Sequence, residues 1–488
     1  MKKHAWNRRG ITLALAATLS ALVGCGDDET PDDDPKPSTQ AKLRVVHASP
    51  DAPAVDIYAE GQSTPLFTNV RYGDTTSYAT VPTGTYNVQV RAAGSAATSA
   101  PVYSTGPLTL TKDQSVSAVA AGLLTATDSA SGFRVLPLTE GFGAPSEGRA
   151  RVRIVHAGAD APTVALDVGD DGSSEITGLA RFQDTGAAGV ELPSGQSLQV
   201  GVRTADNQKV TSFTVPALPS RGEVFVIATG KLSEKAHAPA GFGLLAAGVG
   251  MVRQNPVVYA LHASPDAPSV DVFVGNAELV DDLTFGELSA PIQVPPGSYT
   301  LDFFANAAGS TRPSGSPAAS RPTPSLVAGE RYLVLASGFL SPAADDPADS
   351  TFELLAFTEG FTRDTDSLRL RVVHASPDAP VVDVSPVEGG VVPASAAFDD
   401  IPYRLATSVE GRELPGAQLL VGVAAAKSAD RSPVARFLLD TSAFLGRGVF
   451  AVAAGALSPS TASEAAFRLV LVDTSTTPWS ALNVHPQP

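Results

Sequence analysis

Cysteine is almost missing from this chain: Cys25 is the single one in 488 residues. An intramolecular disulfide is therefore excluded, as is a cysteine-based metal site within one chain, and stability must come from packed cores. Aromatic residues make up only 6%, so those cores must rest on Val, Leu, Ala and Ile. Positive charge is also scarce. Lys and Arg number 34 against 50 Asp and Glu, for a formal net charge of −16. An acidic surface repels phosphate backbones, which argues against a nucleic-acid partner, and no basic cluster follows the first few residues to dock on anionic lipid. The chain also lacks a G-x-S-x-G elbow, a zinc-peptidase helix and a P-loop, and nothing points to a serine–histidine–aspartate set.

What is present is apolar material, punctuated often. Hydrophobic residues reach 43% and charged residues 17%, with 43 Gly and 39 Pro scattered throughout. That composition excludes wholesale disorder and suits many short strands joined by turns. The length calls for several domains of ordinary size.

The first 41 residues read as an address. Lys2, Lys3, Arg8 and Arg9 precede an apolar run, Ile11 to Val23. At 13 residues the run is too short to span a bilayer but has the length of a signal-peptide core. It ends Leu22-Val23-Gly24-Cys25, which resembles the bacterial lipobox. The resemblance implies cleavage of residues 1–24 and lipidation of Cys25. Residues 25–41 follow, rich in acid and proline (Asp27, Asp28, Glu29, Asp32, Asp33, Asp34, Pro31, Pro35, Pro37), and are expected to be a disordered tether. Gly26 rather than aspartate follows the cysteine. By likeness to enteric lipoproteins this favours the outer membrane over the inner. No later segment reads as transmembrane.

Self-comparison gives the most specific signal. HASPDAP stands at His47–Pro53, His262–Pro268 and His374–Pro380, and HAGADAP at His156–Pro162; the histidines lie 109, 106 and 112 residues apart. A β-type run precedes and follows each phrase, so each is a strand–turn–strand unit. Two more landmarks keep step: a V/L-P-x-G turn, and an apolar strand ending in Gly-x-Leu. The glycines of the latter, Gly122, Gly230, Gly338 and Gly455, lie 75, 74, 76 and 81 residues after their histidines. Modules one and three end Thr-Glu-Gly-Phe (Thr139–Phe142, Thr358–Phe361), whereas modules two and four share a Gln and Val-Gly-Val strand (Gln196–Val202, Gln418–Val423). The order is A-B-A-B, as from duplication of a two-module unit, which predicts that each A–B pair packs as a unit. Four modules are assigned, at 42–147, 148–254, 255–367 and 368–488.

Within the first module, strands are expected near 42–47, 54–59, 65–71, 75–81, 85–92, 106–111, 115–122 and 132–138. Alternation is clear at Tyr86–Val90, and helical periodicity is nearly absent. The fold class is all-β: four tandem immunoglobulin-like β-sandwich modules after the signal peptide and tether. Propeller blades are shorter than these repeats.

The HASPDAP turn has two readings. In the structural one its prolines fix the backbone, Ser49 and Asp51 accept turn N–H groups, and the histidine donates to a nearby carbonyl or carboxylate. In the other, the histidine and its neighbouring carboxylates hold a ligand or divalent cation: His47, Asp51 and Asp56; His156 and Asp160; His262, Asp266 and Asp271; His374, Asp378 and Asp383. Ala165 replaces the second aspartate of module two, and mixed histidine–carboxylate spacing is not a calcium loop. The structural reading is preferred, and no metal or other cofactor is assigned. Asp167, Asp170, Asp171 and Gly172 also lack calcium-loop spacing and are read as a hairpin turn. Gly241-Phe242-Gly243 opens no βαβ unit and is not a dinucleotide site.

The phrase V-R-V-V-H-A-S-P-D-A-P-x-V-D-V, nearly intact in modules one and four, resembles the hallmark of domain-of-unknown-function family 4397, a set of exported bacterial and archaeal β-domains, often in tandem. The resemblance extends over residues 42–479, supports the module count and an extracytoplasmic setting, and implies no activity or functional residues. The sequence therefore leads to the expectation of a non-enzymatic envelope lipoprotein for adhesion, matrix contact or scaffolding. It would be held to the membrane by its lipid, with envelope proteins or polysaccharide as partners. The alternative is a glycan- or metal-binding surface receptor using the module loops.

Overall fold

The computed structural model describes residues 39–246, 249–362 and 366–487. The expected signal peptide, Cys25 and nearly all of the tether lie outside them. From Gln40 onward the chain is one compact unit of β-strands, and its one short 3₁₀ turn among the described residues is Thr441–Phe444. No described helix is long and apolar enough to cross a membrane.

Module 1 shows the plan. Its strands are β1 (Gln40–His47), β2 (Val55–Ala59), β3 (Phe67–Val70), β4 (Ala79–Pro82), β5 (Gly84–Ala92), β6 (Tyr103–Leu110), β7 (Ser115–Ala121) and β8 (Arg134–Thr139). One sheet runs β4-β1-β7-β8 and the other β3-β2-β5-β6. The eight expected strands are all present, and β1 begins at Gln40 because Gln40 and Ala41 pair with Pro82 and Val81. The same two-sheet plan recurs three more times, giving eight sheets in four sandwiches. The sandwich architecture is shared with immunoglobulin domains, but the connectivity has its own mark: β1 pairs in parallel with β7, His47 opposite Ala120. The HASPDAP turn is the crossing from one sheet to the other.

The A-B-A-B order is structural. The B modules carry a ninth strand, Gly250–Arg253 in module 2 and Ser480–Val484 in module 4, each at the edge of the β1-type sheet. A and B modules also pack as pairs. In β1 and β7 alternate residues point opposite ways. Leu43, Val45, Val116 and Ala118 enter the core of module 1. Val46, Ala48, Val119 and Ala121 instead join Val155, Ala157, Phe225, Ile227 and Leu245 of module 2 in a second core. Modules 3 and 4 do the same: Tyr259, Leu261, Leu333 and Leu335 meet Val373, Phe450, Val452, Val470 and Trp479. Each pair is thus a four-layer stack whose two middle sheets are covered on both faces. That is why Glu223–Thr229 and Gly448–Ala454 are buried at every position after the first and read as unbroken apolar runs.

Candidate functional site

The candidate site is built on the two landmarks that the repeat keeps in step, because they touch. Asp51 Oδ1 accepts the N–H of Leu124 at 2.8 Å, and Oδ2 that of Thr125 at 2.9 Å. Asp160 receives Leu232 and Ser233 at 2.6 and 2.9 Å. Asp266 receives Leu340 and Ser341, both at 2.7 Å, and Asp378 receives Leu457 and Ser458, both at 2.7 Å. The turn aspartate therefore holds the backbone just after the Gly-x-Leu glycine. Burial alone would raise the Asp51 carboxyl, but the hydrogen bonds from Thr125 and Leu124 outweigh it and hold it below its ordinary value. The motif serine closes the same joint: Ser49, Ser264 and Ser376 donate to the carbonyls of Gly122, Gly338 and Gly455 at 2.7, 2.5 and 2.6 Å. Module 2 has Gly158 there, and the N–H of Ala159 donates to the Gly230 carbonyl instead, at 2.9 Å. Only glycine fits the receiving position. Gly338 has φ +94°, and a Cβ on it would collide with the Thr351 carbonyl oxygen.

The histidines are almost wholly buried, at 0–1% exposure. Nε2 of His47, His156, His262 and His374 lies 3.1, 2.8, 3.0 and 2.9 Å from the carbonyl oxygen of Pro53, Pro162, Pro268 and Pro380. A carbonyl can only accept, so Nε2 carries the hydrogen. Nδ1 then accepts, at the edge of hydrogen-bonding distance, from the N–H of Ser49, Gly158 and Ser376. A second proton would set donor against donor. Burial pushes all four histidines below their ordinary value, against the opposing pull of the proline carbonyls. They are neutral, and each ring bridges the two ends of its own turn.

The second aspartates are occupied elsewhere. Asp56 accepts the N–H groups of Asn69 and Gly94 at 2.7 and 2.9 Å. Asp271 accepts those of Asp282 and Ala307 at 3.0 and 2.9 Å. Asp383 accepts that of Asp400 at 2.8 Å and an Arg431 guanidinium at 2.7 Å. Asn69, Asp282 and Asp400 have φ of +51°, +49° and +49°, a conformation that costs a non-glycine residue free energy, and the buried carboxylate fixes their N–H groups. Module 2 is the informative exception. Ala165 replaces the aspartate, and the matching position is Gly178 at φ +69°, which needs no such support.

The histidine and carboxylates of one motif therefore do not converge on a point. Among the described residues, carboxylates gather within 4.8 Å at Asp271, Glu278 and Asp281 and at Asp383, Asp399 and Asp400, without a histidine. In the second group Arg431 and Lys427 already pair with Asp383 and Asp400, at 2.7 and 2.9 Å. The acidic stretch at module 2 is a turn: Asp167 accepts the N–H groups of Asp171 and Gly172 and the Arg203 guanidinium. Gly241 sits where a Cβ would strike the Lys235 carbonyl, and Gly243 opens a strand.

The residues that sequence reasoning left without a role are the clasps between modules. The phenylalanine of Thr-Glu-Gly-Phe crosses to the partner, Phe142 edge-on to Phe225 and Phe361 to Phe450, with ring centres 5.1 and 5.0 Å apart. In return, the B modules carry a bulky left-handed residue two positions before the chain returns to its sheet. Phe182 (φ +65°) sits under Arg134 of module 1 at 4.0 Å, and Arg404 (φ +67°) donates to Thr351 of module 3 at 2.7 Å. The A modules have Gly73 and Gly286 there. Hydroxyls also cross within each pair: Thr229 donates to the Ala48 carbonyl at 2.6 Å, and Ser337 to that of Ala375 at 3.2 Å.

The junction between the pairs is polar. Ser212 donates to Gln293 at 3.1 Å, Gln293 to Thr211 at 3.1 Å, and Thr214 to Asn255 at 2.7 Å. Buried Glu359 pairs with Lys235 of module 2 at 2.9 Å and with Arg331 at 2.6 Å. Burial alone would raise its carboxyl, yet the two cations hold it below its ordinary value. A cleft of about 820 Å³ opens where modules 2, 3 and 4 meet, walled in part by Thr211, Asn255, Gln293, Glu359, Arg447 and Thr474.

No curated protein matches the chain. Among solved structures, the Bacillus anthracis TIE protein aligns over 85% of this chain and 68% of that one, at 11% identity and a TM-score of 0.14, too low for any shared property to be argued. Domain of unknown function (DUF4397) matches residues 41–167 and 256–385. Each match opens at the first strand of an A module and runs into the second strand of the B module behind it. With more than half of its residues so matched, and with the turn that carries the likeness folded alike four times, the chain belongs to the DUF4397 family.

Proposed function

We propose that this is a non-enzymatic cell-envelope lipoprotein whose four modules form an array for adhesion, matrix contact or scaffolding. The observation that carries the reading is the fate of the repeated polar side chains. The histidines and aspartates of all four motifs are taken up by backbone groups of their own module, so the most faithfully repeated chemistry builds joints and not a reaction centre. The lipobox-like Cys25 and the acidic stretch behind it supply the address, a lipid anchor, with the outer membrane preferred. Envelope proteins or polysaccharide are the partners expected for the exposed outer faces, and the charge of −16 disfavours nucleic acid.

The test has two arms. In cells, the wild-type chain should take up labelled fatty acid and fractionate with outer membranes, and Cys25→Ser should abolish both. In solution, the full chain should bind isolated envelope polysaccharide or envelope protein saturably without altering it. Cleavage of a glycosidic, ester or peptide bond, lost on a single substitution, would overturn the reading.

A further inference from the structure

The glutamate of the Thr-Glu-Gly-Phe signature is repeated, but its partners are not. In module 1, Glu140 accepts from Tyr78 and Ser117 of its own module, at 2.8 and 2.6 Å. In module 3 the same glutamate, Glu359, is held from three modules: by Arg331 of its own at 2.6 Å, by Lys235 of module 2 at 2.9 Å and by the Thr474 hydroxyl of module 4 at 3.2 Å. Neither cation belongs to the sandwich plan. By strand register Arg331 stands where module 1 has Ser115, and Lys235, counted from Gly230, stands where module 4 has Ser460 after Gly455. The contact around them has no apolar centre. Hydrophobic clusters join module 1 to module 2 and module 3 to module 4, and among the described residues none joins module 2 to module 3. Water can replace the hydrogen bonds of such a contact when it parts, and a polar contact leaves its two sides free to move against each other. The covalent connection is only residues 254–256, between the strands Gly250–Arg253 and Val257–Ala263.

We propose that the chain is a hinge of two rigid arms, each an A–B pair, that bends at residues 254–256 and is latched shut by Lys235 on Glu359. The latch is separable from the fold. When Lys235 leaves, Glu359 keeps Arg331 and Thr474, both of the second arm, so no buried carboxylate is stranded. The Lys235 side chain is 30% exposed against 1% for Glu359, so the lysine returns to water while the glutamate stays in place. Charge favours closure. From residue 255 onward 13 Lys and Arg stand against 26 Asp and Glu, and Lys235 brings a cation from module 2 to that acidic arm. Salt weakens this attraction by screening. The cleft of about 820 Å³ lies where the arms meet, so opening the hinge widens it without breaking either arm.

The test is the distance between paired spin labels on the full chain, with Cys25→Ser so that only the introduced cysteines react. Ala205→Cys and Ala462→Cys place one label on each arm, at exposed positions of modules 2 and 4. Two distances should be found, that of the closed junction seen in this structure and that of an open one, with the open share growing as salt is added. Lys235→Met should raise the ratio of open to closed by roughly fivefold, and Lys235→Arg, which keeps the cation, should stay near wild type. Labels within one arm, at Ala100→Cys and Ala205→Cys, should give a single distance that neither salt nor Lys235→Met changes. One narrow distance between the arms, the same in wild type, in Lys235→Met and at high salt, overturns the proposal, because the pairs then form one rigid body. So does a spread of distances within the arm, which would mean that the bend is not confined to the junction. An open share that Lys235→Met leaves unchanged overturns the latch.

Discussion

Asp51 receives on its two carboxylate oxygens the N–H groups of Leu124 and Thr125, 73 and 74 residues further along the chain. This one side chain ties the turn after the first strand to the turn after the seventh, and the same tie recurs at Asp160, Asp266 and Asp378. Hydrogen bonds to an ionised group contribute about 1.5–3 kcal/mol. Asp266→Ala should therefore lower stability by about 3 kcal/mol, read as a shift in denaturant midpoint at constant slope. A shift below a few tenths of a kcal/mol would mean that water replaces the carboxylate without loss.

The histidines make stability depend on pH with a definite sign. Their folded pKa values are depressed by burial, while the unfolded chain takes up protons near the ordinary value of about 6.5. Their contribution is thus complete above about pH 6.5 and is lost as pH falls below it, with a slope of up to about 1.4 kcal/mol per pH unit for each ring. His374→Gln, which keeps a donor for the Pro380 carbonyl but cannot titrate, should reduce the fall between pH 6.5 and 5. An unchanged slope in thermal melts over that range would show that the rings titrate freely.

Gly338→Ala should be far more damaging than an alanine on an open turn such as Gly309, whose added Cβ meets nothing. Both glycines have positive φ and share the cost of about 1 kcal/mol or more for that conformation, but only Gly338 abuts a carbonyl. Expression and melting of the two variants side by side give the comparison, and equal losses would contradict the joint.

Phe361→Ala removes a clasp between modules 3 and 4 and should cost about 3–5 kcal/mol. Modules 3 and 4 should be weakened together, with modules 1 and 2 unaffected. Hydrogen exchange resolved by segment would show this, and loss confined to module 3 would contradict a shared interface.

Much of this was legible before the structure. Strand positions followed from period-2 alternation and from Gly and Pro at the turns, and the repeat fixed the number of sandwiches. The A-B-A-B signature announced the pairing. What stayed hidden was direction. The sequence shows that His47, Asp51 and Asp56 stand close along the chain, but Asp51 bonds forward to Leu124, the ring to Pro53 and Asp56 to Asn69, because successive strand residues face opposite sides and the turn reverses the chain. The link between Ala165 and Gly178 was equally invisible, since a lost carboxylate and a gained glycine 13 residues apart make sense only across the hairpin that joins them. The clasps at Phe182 and Arg404 carried no local signal, because a left-handed conformation at a bulky residue is imposed by the partner module.

Calorimetry of the full chain shows whether the A–B pair unfolds as one cooperative unit. Each pair holds a little over 200 residues, so at about 0.7 kcal/mol per residue its unfolding should carry about 150 kcal/mol. A shared interface should give a van't Hoff enthalpy of about that size, one cooperative step per pair. A van't Hoff enthalpy near half that value would mean that the four modules unfold one by one, and would contradict it.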